Sequence, residues 1–198
     1  MRIFSIKENQ MKSLDELLQM DDYERAEYLY WRARDSNKRL DPEYEEMIKV
    51  NPESAYYYAK DIIEERWLEA EEYIKKDPYY AYEYAEDIIE GKWPEAEPYI
   101  MKDPEYAYKY ARWTIKDRWP EAEKYIKTNP KYAYWYALDI IKKRWLEAEP
   151  YIIKDPKWAY EYAKYVTKGR WFEAEKYIKK NKLWWEKYCN YFGMNKIT

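Results

Sequence analysis

Apolar residues recur along most of the chain with the period of an amphipathic helix. Ala81, Tyr84, Ala85 and Ile88, for example, stand at i, i+3, i+4 and i+7, which places their side chains on one helical face. No run of alternating Val and Thr residues indicates a strand. The pattern therefore predicts an all-α protein.

The same pattern recurs every 26 residues. Five full copies fill residues 51–180, and each is numbered here from the Asn or Asp that begins it. The copies share Pro at position 2, Ala at 5 and 9, Tyr at 6 and 8, Arg or Lys at 16, Trp at 17, Glu-Ala-Glu at 19 to 21, and Tyr-Ile at 23 and 24. A degenerate copy occupies 25–50, and a half copy begins at Asn181. A strict period of this length is typical of stacked supersecondary units.

Each unit is predicted to form two helices, A and B. Helix A begins at Asn-Pro or Asp-Pro, which combines an N-cap acceptor with a proline suited to the first helical position. It is expected to end near position 15, where Gly91 and Gly169 suit a left-handed cap. Helix B should follow the position-17 Trp over about eight residues. In the copies with Pro98 or Pro150 it should begin later, because a deep proline removes a backbone hydrogen bond.

One such hairpin cannot bury its apolar face alone, so neighbouring hairpins are expected to stack around a shared core. The predicted fold is an α-solenoid of short helical hairpin repeats. Ser13 and Glu16 have the spacing of a capping box before the first hairpin. The predicted segments are an N-terminal capping helix (1–24), six helical hairpins of which the first is degenerate (25–180), and a C-terminal half-repeat cap (181–198).

The composition excludes most catalytic and metal sites. The 198 residues include no His, one Cys and 3 Gly, so His-ligated metals, Ser-His-Asp or Cys-His machinery and glycine-rich phosphate loops are excluded. Paired carboxylates such as Glu95 and Glu97 are two residues apart, which separates them by roughly 200° around a helix. We therefore predict no enzyme activity, no cofactor and no metal.

The repeated side chains are interpreted as parts of the periodic core. A ladder of aromatic rings can stack nucleobases, but residues fixed in every copy are what a repeating core requires. The position-16 Arg or Lys is expected to pair with the nearby Glu residues, and Cys189, at an Ala position, is expected to be buried. The tryptophans expected in the core are Trp67, Trp93, Trp119, Trp145 and Trp171.

Function is expected where the copies differ, because the shared residues are committed to stacking. Positions 3, 7, 10 and 14 of helix A should face solvent, with 11 at the edge. Large apolar residues there indicate an interface, although one or more could instead pack against a neighbouring unit. The predicted partner-binding residues are Trp113, Trp135, Leu138, Lys109, Lys116, Lys142, Tyr165 and Lys168.

Charge divides the chain into two halves of opposite sign. Residues 1–102 hold 15 basic and 26 acidic groups, net −11, whereas residues 103–198 hold 21 and 13, net +8. Such a division favours steered docking and allows head-to-tail self-association. The basic half could attract phosphate or an acidic protein.

Units such as DPEYAYKYARWTIKDRWPEAEKYIKT, residues 103–128, resemble a tandem repeat of largely uncharacterised proteins from bacteriophages and large DNA viruses. The resemblance covers 51–180 and includes the A-Y-x-Y-A and R-W-x-E-A-E-x-Y-I core. It implies a viral accessory protein that disables a host defence component. The motif implies a scaffolding role, and the resemblance assigns no catalytic residue to this chain.

Three functional hypotheses follow. The leading one is a non-enzymatic scaffold that binds a host protein. The alternatives are nucleic-acid or nucleotide binding through the basic half, and structural self-assembly. The chain has no apolar run of membrane-spanning length and no signal-peptide core, so we expect no membrane association and a cytoplasmic location, in the host cell if the protein is viral.

Overall fold

The computed structural model describes residues 11–194, which form helices and no strand. The fold is the predicted α-solenoid of repeated helical hairpins. Contacts divide the chain into two compact units, residues 1–100 and 101–198. The first ten residues of the predicted N-terminal cap and the last four of the C-terminal cap lie outside the described residues.

Unit 1 contains the N-terminal helix, the degenerate hairpin and two full repeats. The capping box is confirmed, because the Glu16 backbone N–H donates to Ser13 Oγ and the Ser13 N–H donates to the Glu16 carboxylate. The α-helices of unit 1 are α1 (Leu14–Leu18), α2 (Asp22–Ser36), α3 (Pro42–Ile48), α4 (Pro52–Tyr58), α5 (Leu68–Ile74), α6 (Pro78–Tyr84) and α7 (Glu97–Ile100).

Unit 2 contains three full repeats and the half repeat. Its α-helices are α8 (Pro104–Tyr110), α9 (Pro120–Ile126), α10 (Pro130–Tyr136), α11 (Glu149–Ile152), α12 (Pro156–Tyr162), α13 (Phe172–Ile178) and α14 (Lys182–Tyr191).

The helix starts follow from the predicted signals. In the six copies from Asn51 to Asn181, the position-1 side chain accepts a backbone N–H from the first turn of helix A. Helix B has seven residues in α5, α9 and α13. It has only four in α7 and α11. These two contain Pro98 and Pro150 and begin one residue before the proline, as predicted from the lost backbone bond.

Helix A has a second part that the apolar spacing did not predict. In every full copy the α-helix ends at the position-8 Tyr and continues as five π-helical residues, in which each N–H bonds five residues back. The Glu64 N–H, for example, donates to the Ala59 carbonyl at 2.8 Å. The π-helical segments are Ala59–Ile63, Ala85–Ile89, Ala111–Ile115, Ala137–Ile141 and Ala163–Thr167.

A charged residue, not glycine, caps each π-helical segment in the left-handed conformation. The prediction that Gly91 and Gly169 adopt this conformation is wrong: they follow the cap by one position and do not have positive φ. The π-helix places the left-handed cap at position 14. Sequence spacing interpreted at 3.6 residues per turn, as in an α-helix, does not predict that position. The caps are Glu64, Glu90, Lys116, Lys142 and Lys168, with φ between 53° and 60°.

The degenerate copy shows where the extra residue goes. Helix α2 is α-helical throughout, and its left-handed cap, Asn37, stands at position 13. Arg39 follows and pairs with Glu45, six residues on, whereas Arg66 pairs with Glu71, five residues on. The residue that the π-helix adds to helix A thus stands in the loop before helix B in this copy.

The position-8 tyrosine joins neighbouring repeats within each unit. Tyr84 is fully buried, and its hydroxyl accepts the Trp67 backbone N–H at 2.7 Å and donates to Glu71 at 3.2 Å. Arg66 holds both oxygens of Glu71 at 2.8 Å. The Trp, Arg and Glu of one repeat therefore surround the Tyr of the next, and we call this network the tyrosine joint.

The tyrosine joint recurs in both units. Tyr58 makes it with the degenerate copy, through the Leu40 backbone N–H and Glu45. In unit 2 the hydroxyls of Tyr136, Tyr162 and Tyr188 accept the N–H of a repeated Trp at 2.7 Å. The same hydroxyls donate to the position-21 Glu of the preceding repeat. The predicted pairing of the position-16 Arg with a nearby Glu is confirmed in these joints.

The repeated tryptophans fill the core, as predicted. None of the five is more than 4% exposed, and Cys189 is fully buried. Each Trp ring lies against the position-8 Tyr of its own repeat, at centroid distances of 5.0 or 5.1 Å. The position-17 Trp therefore contributes both apolar packing and a backbone donor for the joint.

Removing one hydroxyl should weaken a tyrosine joint. In Tyr136→Phe, the buried Trp119 N–H and the Glu123 carboxylate lose a partner, which should lower the free energy of unfolding by about 1–3 kcal/mol. Urea denaturation followed by circular dichroism measures this. Tyr125→Phe, which removes the hydroxyl of a partly exposed tyrosine outside the joint, is the matched control. Equal effects of the two substitutions would contradict the importance of the joint.

Alkaline pH should also loosen the joints. Burial raises the pKa of Tyr58 and Tyr188 to about 12, from an ordinary value of 10.0, and raises the pKa of Tyr84, Tyr136 and Tyr162 as well. The folded state holds these protons more tightly, so the stabilisation is complete below pH 10 and is lost as the pH rises through the folded-state pKa.

We therefore expect the urea midpoint to fall steeply above pH 10.0, with tyrosinate absorbance appearing together with unfolding. If all tyrosines ionised near pH 10.0 while the protein stayed folded, the result would show that the joints do not raise the pKa of their tyrosine hydroxyls.

Candidate functional site

Unit 2 brings three of the predicted residues into one groove of about 350 Å³. Trp113, Trp135 and Lys109 line it together with Arg112 and Lys131. The lining residues come from helix A of two successive repeats, which are α8 and α10 with their π-helical segments. We call this the tryptophan groove. Leu138, Lys116, Lys142, Tyr165 and Lys168 lie outside it.

A hydrogen bond between position 6 of one repeat and position 11 of the next holds the two sides of the groove. The Tyr108 hydroxyl donates to Asp139 at 2.6 Å, and Arg112 contacts both groups. In unit 1 the same pairing joins Tyr30 to Asp61 at 2.7 Å and Tyr56 to Asp87. Sequence reasoning missed Tyr108 and Asp139, although the recurrence of Asp at position 11 was a signal for them.

Two copies in unit 2 replace this Asp with an aromatic residue. Trp113 is 52% exposed and Tyr165 is 43% exposed. A cation from the preceding residue lies 4.7 Å from each ring centroid, from Arg112 over Trp113 and from Lys164 over Tyr165. Both rings are therefore presented to solvent beside a positive charge, an arrangement that stabilises an exposed aromatic ring.

The other two apolar candidates are less accessible. Trp135 and Leu138 are partly buried, and the Trp135 ring lies 5.0 Å from Tyr134. Trp135 at position 7 therefore lines the groove while partly buried, whereas the sequence suggested a solvent-facing side chain.

Two of the three cations that line the groove form ion pairs, and the third, Lys131, donates to the Tyr132 hydroxyl at 3.0 Å. Lys109 bonds to Glu105 at 2.8 Å, and this contact, together with a hydrogen bond from Tyr132, lowers the pKa of Glu105. Arg112 pairs with Asp139. The groove thus combines aromatic rings with three cations and two carboxylates.

The three remaining lysines form a separate row. Lys116, Lys142 and Lys168 are exposed and occupy the left-handed cap of helix A in successive repeats. A cation at a helix C-terminus is favoured by the dipole. The left-handed backbone, however, costs about 1–2 kcal/mol for any residue with a Cβ. We call these residues the lysine row.

Within residues 11–194, no group of three or more Cys, Asp or Glu side chains is placed to hold a metal ion. In the same range, no helix combines the length and apolarity that crossing a lipid bilayer requires.

Comparisons with family models, curated proteins and solved structures gave no match for this chain.

Exposed and buried tryptophans should respond differently to truncation. Trp113→Ala removes a half-exposed ring and should change the free energy of unfolding by less than about 1 kcal/mol. Trp119→Ala removes a ring that is 4% exposed and should cost about 3–5 kcal/mol through the cavity it leaves. Urea denaturation of both variants tests this. A loss for Trp113→Ala as large as that for Trp119→Ala would place Trp113 in the core.

Proposed function

We propose that the protein is a non-enzymatic binding scaffold and that unit 2 docks on an acidic surface of a partner protein. The tryptophan groove would receive an apolar side chain of the partner, and the lysine row would contact its carboxylates. Interfaces of this kind combine a few aromatic anchors with charged surroundings that steer association.

The observation that carries the proposal is the charged left-handed cap. Glycine adopts this conformation without a steric penalty and is the usual residue there, yet three successive repeats of unit 2 have lysine. The lysine side chains form no salt bridge within the described residues. The helix dipole favours each cation by about 0.3–1 kcal/mol, which is less than the cost of about 1–2 kcal/mol for the left-handed backbone. A surface that must present three cations accounts for the difference. Strained residues are retained where function requires them.

Two features favour a protein over a nucleic acid as the partner. Glu105 and Asp139 lie inside the tryptophan groove and would repel a phosphate backbone. The guanidinium of Arg112 already lies over the Trp113 ring, so a nucleobase would have to displace it before stacking. A folded protein surface offers both apolar groups and charges, and it matches this mixed lining better.

The resemblance of the repeats to those of phage and large-DNA-virus proteins supports a narrower proposal. The partner would then be a host defence protein in the cytoplasm, and binding would inhibit it. Self-assembly is the competing proposal, and the opposite charges of the two halves of the chain are the feature that supports it.

Substitution of the lysine row tests the proposal. The triple variant Lys116→Gly, Lys142→Gly and Lys168→Gly should raise the free energy of unfolding by about 1 kcal/mol per site, because glycine relieves the left-handed strain. The same variant should lose partner protein in a pull-down from host lysate treated with nuclease. A gain in stability together with a loss of binding would separate function from folding.

A control variant removes the same number of positive charges elsewhere on unit 2. Lys124, Lys154 and Lys176 are exposed and lie outside the lysine row, so changing them to Gln should leave capture intact. Equal loss of capture in both variants would mean that net charge alone, and not the lysine row, determines partner binding. Capture abolished by nuclease would indicate nucleic acid, and a concentration-dependent mass without any partner would indicate self-assembly.

A further inference from the structure

Unit 1 contains a larger cleft than the tryptophan groove, with a volume of about 580 Å³. It lies between α2 and α4, and we call it the α2/α4 cleft. Its walls include Tyr30, Trp31 and Tyr57, with Ser54 between them and the carboxylates of Glu27 and Glu53 in the lining. This volume falls within the range of about 300–1,000 Å³ that is usual for ligand pockets.

A break in the repeat pattern explains why the cleft exists. At other junctions within the two units, the aromatic ring of position 4 lies against the position-6 tyrosine of the preceding repeat. The centroid distances are 5.8 Å for Tyr56–Tyr80, 6.1 Å for Tyr108–Tyr132, 5.6 Å for Tyr134–Trp158 and 6.0 Å for Tyr160–Trp184. Ser54 stands at position 4 in the first full copy and has no ring.

Tyr57 compensates for this only in part. Its ring, from position 7, lies 5.9 Å from Tyr30 and takes the stacking place of the missing aromatic residue. Ser54 itself is only 2% exposed, and it still contributes to the lining of the cleft. Helix α2 also begins three residues before position 1 of its copy, so Tyr23 extends the wall of the cleft. The result is a cleft with aromatic walls at the place where the other junctions have a position-4 aromatic side chain.

The charge of the lining indicates which aromatic ligand would fit. Glu24, Glu27 and Glu53 line the cleft with Arg34 as the cation. Arg34 is held against the wall, with its guanidinium 4.9 Å from the Trp31 ring and 3.3 Å from the Tyr30 hydroxyl. The lining therefore has an excess of negative charge, and it lies in the acidic half of the chain.

We propose that the α2/α4 cleft binds a tryptophan or tyrosine side chain flanked by basic residues in a peptide segment of a partner. The ring would occupy the cleft and contact Trp31 and Tyr57, the partly exposed aromatic rings of its walls. Glu27 and Glu53 would pair with the flanking cations. This site is independent of the tryptophan groove and the lysine row, since it lies in unit 1 and selects the opposite charge.

Fluorescence anisotropy with labelled peptides tests the proposal on the full chain. The probe is the pentapeptide Lys-Lys-Trp-Lys-Lys, and the matched controls are Lys-Lys-Ala-Lys-Lys and Glu-Glu-Trp-Glu-Glu. The probe should bind at least about tenfold more tightly than either control, because the cleft requires both the ring and the positive charge. Equal affinity for all three peptides would overturn the proposal.

Two substitutions of one residue locate the binding. Ser54→Tyr restores the aromatic residue that the other copies have at position 4, so it should fill the cleft and reduce affinity for the probe by about tenfold or more. Ser54→Ala adds no volume to the cleft and should bind as the parent does. Unchanged affinity in Ser54→Tyr would show that the probe binds elsewhere.

A third variant covers the case in which Ser54→Tyr does not fold. Glu27→Gln keeps the shape of the lining and removes one charge, so affinity for Lys-Lys-Trp-Lys-Lys should fall by about threefold to tenfold. Circular dichroism checks that each variant is folded. Affinity for the probe that is unaffected by Glu27→Gln would contradict the role assigned to the carboxylates.

Discussion

The solenoid depends on a hydroxyl group that is buried and fully hydrogen-bonded. A buried tyrosine hydroxyl needs partners, since an unpaired polar group inside a protein costs free energy. The position-8 tyrosine finds them in the preceding repeat, where a Trp backbone N–H donates a hydrogen bond to the hydroxyl and a Glu carboxylate accepts one from it. The Arg that holds the Glu completes the network. Positions 8, 16, 17 and 21 are therefore fixed together, which explains why they recur in the sequence.

Positions outside the tyrosine joint are free to differ, and the candidate sites arise there. At position 11 the repeat uses Asp to accept a tyrosine hydroxyl, and Trp113 replaces it with an exposed ring. At position 4 the repeat uses an aromatic ring to cover that tyrosine, and Ser54 leaves a cleft instead. At position 14 the charge changes sign between the two units. Each candidate site thus arises where one repeat lacks a residue that makes a regular contact in the other repeats.

The sequence predicted the fold well because its signals are local and repeated five times. The N-capping residues, the late helix starts at Pro98 and Pro150 and the buried tryptophans all follow from spacing alone. The π-helix could not be predicted from spacing, because Ala and Ile at positions 9 and 13 also suit an α-helix. Its one extra residue moved the left-handed cap from the expected glycines to charged residues. The grooves were missed for a different reason: they form between residues of two repeats, such as Tyr108 and Asp139, and spacing within one repeat does not reveal such pairs.

The central claim is that hydrogen bonding at the tyrosine joint, and not apolar burial alone, couples successive repeats. A double-mutant cycle between Tyr136→Phe and Glu123→Ala, measured by urea denaturation, tests it most directly. Because the two groups are hydrogen-bonded across the joint, their coupling energy should fall within about 0.5–3 kcal/mol. Strictly additive losses would contradict the claim, since they would mean that the tyrosine and the glutamate stabilise their own repeats independently.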